Sequence, residues 1–253
     1  MKRIDSVKNP QVKQWKKLHE KKERDRQGVF IVEGFHLVEE ALKTKSRIKE
    51  LVVADSIQIP SHWNVDDVSI TIVNEAIMKV ISDTETPQGV AAVCYQTQQE
   101  DIMNTATRIL LLDAIQDPGN LGTIIRTADA AGLDAIVVGD GSVDVYNSKV
   151  IRSTQGAIFH VPILKKSELL DIIALLKERG ISIYGTSLKN GEVFTNVQPS
   201  SSFALVVGNE GNGVSERVLA ETNQNLYIPI YGKSESLNVA IASGILLYYL
   251  RGM

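Results

Sequence analysis

The chain has 253 residues, 43% hydrophobic and 23% charged, the usage of a globular protein of one large or two modest domains. That composition excludes wholesale disorder, a collagen-like fibre and a coiled-coil rod. The lone Cys94 excludes an internal disulfide framework and a Cys-cluster zinc site. The net charge of −3 hides an asymmetry, because residues 1–26 hold ten Lys or Arg and four acids, a local +6 on an otherwise acidic chain. A basic arm on an acidic body points to a polyanion such as RNA or DNA, although a solvated charged helix would look the same. His19, His36, His62 and His160 are scattered without metal-ligand spacing, so no metal is expected. No apolar run reaches the roughly 20 residues of a membrane span, and the N-terminus is charged. A cytoplasmic protein is expected.

In chain order, residues 10–25 read as one helix, with Val12, Trp15 and Leu18–His19 on a stripe and lysines on the other faces. Gln27–Gly28 ends it. Val29–Val32 is a strand, Gly34 opens a helix from Phe35 to Leu42, and Glu50–Ala54 and Ser69–Val73 are further strands. Asn74 is placed to cap a helix over Glu75–Ile81. Thr86-Pro87-Gln88-Gly89 turns the chain into a buried strand, Val90–Tyr95. This alternation predicts a small α/β domain over residues 1–97. The polar stretch 98–107 reads as a linker.

Residues 108–253 repeat the pattern more strongly. Arg108–Leu112 is an apolar strand, Leu121–Ala131 a helix stopped by Gly132, and Ala135–Val138 a strand. Glu168–Arg179 is an amphipathic helix ended by Gly180. Ile181–Gly185, Phe203–Val207 and Leu226–Ile230 are strands, and Asn238–Leu250 is the last helix. Strands without polar alternation predict a mostly parallel sheet covered on both faces. The last helix has no polar side wide enough for solvent, so it is buried in its own core or against a second subunit.

Three loops stand out, each after an apolar strand, where open parallel sheets bind their ligands. The first is Asp117-Pro118-Gly119-Asn120-Leu121-Gly122 followed by Arg126, with Asn120 placed to cap the helix. The second is Gly208-Asn209-Glu210-Gly211-Asn212-Gly213, whose glycines allow close backbone approach. It matches neither the phosphate-loop pattern nor a complete dinucleotide fingerprint. The third runs from Ile228-Pro229-Ile230 through Ser236-Leu237-Asn238. Each loop alone is equally an ordinary turn.

Together, in this order and spacing, the three loops resemble the signature motifs of the SpoU branch of the SPOUT RNA ribose methyltransferases. The resemblance covers about residues 108–250. One departure is Ala240, where the family often has Ser. The N-terminal part more loosely resembles the RNA-binding domain that many ribosomal-RNA members carry. The resemblance implies a trefoil-knotted α/β catalytic domain, S-adenosylmethionine as methyl donor, and a homodimer. It implies methylation of a ribose 2′-hydroxyl, in ribosomal rather than transfer RNA. The same reaction on transfer RNA and a non-catalytic RNA-binding protein that kept the fold are the alternatives. Carried over residue by residue, Asn120, Arg126, Glu210, Ser236 and Asn238 would be catalytic. Thr186, Ser187, Gly208, Asn209, Gly211, Ile228 and Leu237 would bind the cofactor. Arg126 would grip an RNA phosphate and lower the hydroxyl pKa, with Glu210 orienting Arg126 or accepting from the sugar. In the arm, Arg24 and Arg26 are the expected RNA contacts.

Overall fold

The computed structural model describes every residue except Lys45, Ser46, Gln98, Gln99, Ser167, Asn190 and Met253, and of Glu100 the backbone alone. Gln98 and Gln99 of the expected linker therefore lie outside the described residues. Chain contacts define two units, Met1–Thr97 with Tyr146–Phe159, and Gln98–Val145 with His160–Met253.

The first unit opens with β1 (Lys2–Ile4), a strand absent from the sequence pattern. The residues expected as one helix form two, α1 (Pro10–Lys17) and α2 (Lys21–Gln27). The break comes at Leu18–Glu20, where backbone N–H groups turn back to Trp15, Lys16 and Lys17. The Arg24 guanidinium fills the gap by donating to Leu18 O at 2.8 Å and His19 O at 2.7 Å. It thus satisfies carbonyls that a helix end leaves open. Gly28, at φ +65°, stops α2. β2 (Val29–Glu33), α3 (Phe35–Lys43), β3 (Ile48–Ala54), β4 (Ile70–Val73), α4 (Glu75–Ile81) and β5 (Val90–Tyr95) follow. Asn74 caps α4 as its position predicts, accepting from Ile77 N at 3.0 Å. The Gln88 side chain caps α3 by accepting from Phe35 N at 2.9 Å. The sheet order is β1-β4-β3-β5-β2. β1, β4 and β3 run parallel, and β5 is antiparallel to β3 and β2. Val12, Trp15 and Leu18 pack with Val52, Val73, Ile77 and Ile81 in one core.

The second unit starts its sheet with β6 (Arg108–Asp113), then α5 (Pro118–Ala130) and β7 (Ala135–Gly139). The chain next passes through α6 (Ser148–Thr154), which belongs to the first unit. There Tyr146 stacks on Phe30 with ring centroids 4.5 Å apart, and Arg47 donates to Ile158 O at 2.9 Å. β8 (Ile163–Lys166), α7 (Leu169–Glu178), β9 (Ile183–Thr186), β10 (Glu192–Val193), β11 (Phe203–Gly208), α8 (Glu216–Leu219), β12 (Gln224–Tyr227) and α9 (Val239–Arg251) complete it. α6, β8, β10 and α8 are further elements that the sequence pattern lacks. The last strand ends at Tyr227 rather than Ile230, so Ile228-Pro229-Ile230 lie beyond its carboxyl end. The sheet order is β10-β12-β9-β11-β6-β7-β8, and every pairing among the described residues is parallel. Ile109, Leu111, Val137, Ile183, Ala204 and Val206 lie in one core with Ile172, Ile173 and Leu176 of α7. The chain builds β6, β7 and β8 toward one edge and the remaining strands on the other side of β6. The order therefore reverses between β6 and β11, where an open sheet leaves a crevice.

Candidate active site at the carboxyl ends of the second sheet

Because the strands are parallel, β12, β9, β11 and β6 end on the same edge, side by side. These strand ends and their loops hold the expected cofactor and catalytic residues except Asn120 and Arg126, which stand on α5.

The loop after β6 is shaped first by Ala114, held at φ +59°. A left-handed alanine costs about 1 kcal/mol, so its surroundings must fix it. Asn209 does so from the next strand, its Nδ2 donating to Ala114 O at 2.9 Å. Asn209 Oδ1 accepts from Gly211 N and Asn212 N, both at 3.0 Å, which folds the glycine-rich loop on itself. Gly208 has no room for a side chain, since a Cβ would lie 2.2 Å from Gly213 C and Val214 N. Asp113 Oδ2 accepts from Ser215 N at 2.8 Å and ties the far end of the same loop to β6.

Asp117, not Asn120, caps α5, its Oδ1 accepting from Asn120 N at 2.8 Å. Both residue types suit the cap. Pro118 fits the first helical turn, so the helix begins three residues earlier than the apolar pattern suggests. Asn120 is thereby freed for the crevice. Its Nδ2 donates to Glu210 Oε1 at 3.0 Å, and its Oδ1 accepts from Asn238 Nδ2 at 2.9 Å. Asn238 Oδ1 in turn caps α9, accepting from Ala240 N at 2.9 Å and Ile241 N at 3.4 Å. The polarity of this chain is forced. The α9 N–H groups need an acceptor, so the Asn238 amide faces Asn120 with its NH2. The Asn120 NH2 then faces the Glu210 carboxylate. Three loops far apart in sequence are closed into one frame.

Glu210 Oε1 also accepts from Asp117 N at 3.0 Å and Oε2 from Gln116 N at 3.1 Å. Partial burial pushes the Glu210 carboxyl upward. The hydrogen bonds from Asn120, Asp117 and Gln116 outweigh it, and the group sits below the ordinary carboxylate range. Glu210 is therefore an ionised clamp for the entry of α5. It does not orient Arg126 by a hydrogen bond or ion pair, because the Arg126 guanidinium makes neither among the described residues. Arg126 is exposed on α5, two turns in from the clamped end. Ser236 and Leu237 lie exposed on the loop that leads to Asn238.

The loops after β9, β11 and β12 suit a cofactor held by backbone. The Thr186 hydroxyl donates to Val206 O at 3.1 Å and the Ser187 hydroxyl to Lys189 O at 2.8 Å, so both side chains serve the loops themselves. The neighbouring strand ends and loops carry Gly208, Gly211, Ile228 and Leu237.

In the first unit, Arg24 is only 4% exposed and turned to the carbonyls of the helix break, out of reach of a phosphate. Arg26 is exposed and paired with Glu23 at 2.5 Å. The other exposed cations of the arm include Lys13, Lys16 and Lys17 of α1 and Lys21 and Lys22 of α2. The sequence overlooked them in favour of Arg24. The helix stripe through Trp15 and Leu18 already set them on the outer face. No cluster of metal-ligating side chains occurs among the described residues, and no helix among them is long and apolar enough to cross a membrane.

Residues 107–248 match the SpoU rRNA Methylase family, and residues 9–92 match the MRM3-like substrate binding domain. The chain is 50% identical over 252 residues, the full length of both proteins, to the Bacillus subtilis 23S rRNA (guanosine(2553)-2′-O)-methyltransferase RlmP. The AdoMet-bound rRNA methyltransferase of Sinorhizobium meliloti superposes with a TM-score of 0.88 at 32% identity, covering 99% of this chain and 97% of that one. The SpoU methyltransferase AviRb of Streptomyces viridochromogenes, in complex with AdoMet, gives a TM-score of 0.85 at 25% identity over 96% and 97% of the two chains. With its three motif loops joined at the reversal point of the sheet, the chain belongs to the SpoU rRNA methylase family.

Proposed function

We propose that this SpoU methylase modifies a guanosine ribose of 23S ribosomal RNA, and that it does so as a homodimer. Its reaction is S-adenosylmethionine-dependent methylation of an RNA 2′-hydroxyl. The substrate reading rests on the full-length likeness to a 23S rRNA guanosine 2′-O-methyltransferase. The observation that carries the catalytic reading is the Glu210–Asn120–Asn238 chain, which closes the site beside an unengaged Arg126.

S-adenosylmethionine, when bound, supplies a methyl group on a sulfonium, so a C–O bond forms as the C–S bond breaks. Gly208, Gly211, Ile228 and Leu237 would hold it, with the Thr186–Ser187 turn and the Asn209-shaped loop giving the cradle its form. The nucleophile is a ribose hydroxyl, too weakly acidic to attack unaided. A guanidinium stays protonated at working pH, so Arg126 serves as a fixed cation and not as a base. It grips the adjoining phosphate and favours the developing alkoxide. The proton leaves to solvent or to that phosphate. Glu210, already ionised and hydrogen-bonded, holds the frame while Asn120, Asn238 and Ser236 set the loop positions around the hydroxyl.

Residues 1–97 would act as the substrate domain, 98–107 as the connection and 108–253 as the catalytic domain, with Tyr146–Phe159 packed in the first unit. Phosphate contact falls to the lysines of α1 and α2 with Arg26. The dimer reading is supported by α9, where Ile241, Ile245 and Tyr248 recur on one face and stand in water, Ile241 at 57% exposure. Family membership supports a trefoil knot in the catalytic domain.

The test is transfer of radiolabelled methyl groups from S-adenosylmethionine to total RNA of a strain lacking the protein. Label in large ribosomal RNA, alkali-resistant at one ribose, is expected. Label confined to transfer RNA would overturn the substrate, and cofactor binding without transfer to any RNA or ribosomal particle would overturn the enzyme reading.

A further inference from the structure

β9 and β12 are neighbours and release their chains at the same edge of the sheet. Thr186 lies opposite Leu226, and the Ser187 N–H donates to Leu226 O at 3.0 Å. Each following loop begins by putting a large apolar side chain and a lysine into solvent close together in sequence. After β9 these are Leu188 and Lys189, and after β12 they are Tyr231 and Lys233. Neither lysine ammonium has a hydrogen-bond or ion-pair partner among the described residues. Tyr231 is 95% exposed, and no other Phe, Trp or Tyr among the described residues is more than half exposed. Phe194 and Tyr249, in the same unit, are packed edge to face at 4.9 Å.

An aromatic ring left wholly in water forgoes the burial that normally places tyrosine, which buries roughly 150–250 Å² when packed. Its position gives it a use. Tyr231 stands on the loop that carries Ser236 and Asn238, with Lys233 two residues further on and Lys189 on the loop after the neighbouring strand β9. A flat ring flanked by positive charge is the surface that takes an unstacked nucleobase with its phosphates. We propose that Tyr231 is a stacking platform for a nucleobase adjoining the methylated ribose, with Lys189 and Lys233 on the flanking phosphates. The proposal rests on the RNA methyltransferase reading and adds to it the element that holds the RNA at the reaction centre. Stacking needs only a π-face, so Tyr231 sets affinity and the splaying of the strand rather than base identity.

The test compares wild type, Tyr231→Ala, Tyr231→Phe and Lys233→Gln on transcribed 23S rRNA and on large ribosomal subunits lacking the modification. Y231A is expected to raise the RNA KM about 5- to 100-fold with kcat nearly unchanged. Y231F should behave as wild type, and K233Q should raise KM severalfold and flatten its salt dependence. S-adenosylmethionine affinity by calorimetry and mass in solution should be the same for all four. An RNA carrying 2-aminopurine beside the target should be quenched by wild type and not by Y231A. An unchanged KM in Y231A would overturn the proposal, as would a Phe variant as impaired as Ala. A KM loss accompanied by a change in mass would make Tyr231 a subunit contact and overturn it equally. Wild type that binds cofactor yet methylates neither RNA probe would instead overturn the reading beneath it.

Discussion

The two ends of the seven-stranded sheet each hold a hydrogen-bonded carboxylate. At the amino end, Asp134 accepts from Thr107 N, Thr107 Oγ1 and Arg108 N, each at 2.9 Å, and from the Arg108 guanidinium at 2.6 Å. At the carboxyl end, Glu210 accepts from two backbone N–H groups and from Asn120. Both carboxyls are raised by partial burial and lowered further by their donors. Asp134 comes to about 2, and Glu210 lies below its ordinary range. The difference is in what the donors belong to. Asp134 joins residues at the start of β6 to the end of the α5–β7 connection, two segments already held in register by the sheet. Glu210 joins the glycine-rich loop to the entry of α5, and one of its donors passes the constraint on to α9. The first carboxylate fastens the sheet and the second assembles a site. Substitutions at the two ends should separate stability from turnover.

The largest effect belongs to the group that reaches substrate. Arg126→Ala removes a solvent-facing cation from the outside of α5, and alanine suits a helix. Turnover should fall by about 10²–10³, the loss typical when one transition-state donor is removed. Thermal stability and S-adenosylmethionine affinity should stay near wild type. Turnover within twofold of wild type would leave the carboxyl end of the sheet with no catalytic cation.

Glu210→Gln should cost both activity and stability. A glutamine keeps one acceptor oxygen but turns an NH2 toward the N–H of Gln116 or Asp117. One backbone donor then loses its acceptor, at about 0.5–1.5 kcal/mol because the bond is solvent-exposed. Turnover should drop about 10-fold or more with the RNA KM less affected, because the frame rather than the RNA surface is disturbed. A carboxylate with a depressed folded pKa contributes stability above its unfolded pKa, and that contribution is lost as pH falls through the folded value. The acid limb of wild-type activity should therefore extend below the ordinary carboxylate range and move upward if Asn120 is replaced by Ala. An acid limb at the same pH in both proteins would show that Asn120 does not hold Glu210 ionised.

Much of this arrangement could be read from the residues, and the remainder fails for identifiable reasons. β2, β5, β6, β11, α3, α7 and α9 carry long apolar patterns with clear ends, and they fall where those patterns put them. β1 has three residues and β10 two, too few for a period, and both exist because a neighbouring strand pairs with them. The break between α1 and α2 depends on Arg24 folding back on carbonyls five and six residues away, which no stripe of apolar positions reveals. The same holds at the site. Three loops of suggestive composition were visible, but Asp117 and Asn120 competed for one cap. Which of them won, and so which amide faced Glu210, was decided by contacts across 90 residues of sequence.

Asn238→Ala tests that long-range chain at its far end. It removes the cap of α9, worth about 1 kcal/mol, and with it the bond to Asn120. Activity should fall about 10-fold, less than for Glu210→Gln, since Glu210 keeps its backbone donors. Serine at 238 can restore the cap but cannot reach as an amide does. Asn238→Ser should therefore recover stability without recovering turnover. Recovery of both would reduce the Asn238 contribution to capping alone.

Asp134→Asn should show the smallest functional change and the plainest pH dependence. The residue lies at the opposite end of the sheet from the loops, so turnover should match wild type at temperatures where both are folded. The charge-assisted bonds from Arg108 and the Thr107–Arg108 backbone weaken when the acceptor becomes a neutral amide. About 1–2 kcal/mol of stability should be lost at neutral pH, after allowing for partial solvent screening. Asp134 falls to about 2 in the folded chain from an ordinary value near 3.8. The stability it confers is fully present above about pH 4 and disappears as pH falls toward 2. Denaturant midpoints for wild type and D134N should accordingly lie apart at pH 7 and converge between pH 4 and 2. A gap that persists unchanged to pH 2 would mean that shape rather than charge fastens this end. The contrast with Glu210 would then rest on position alone.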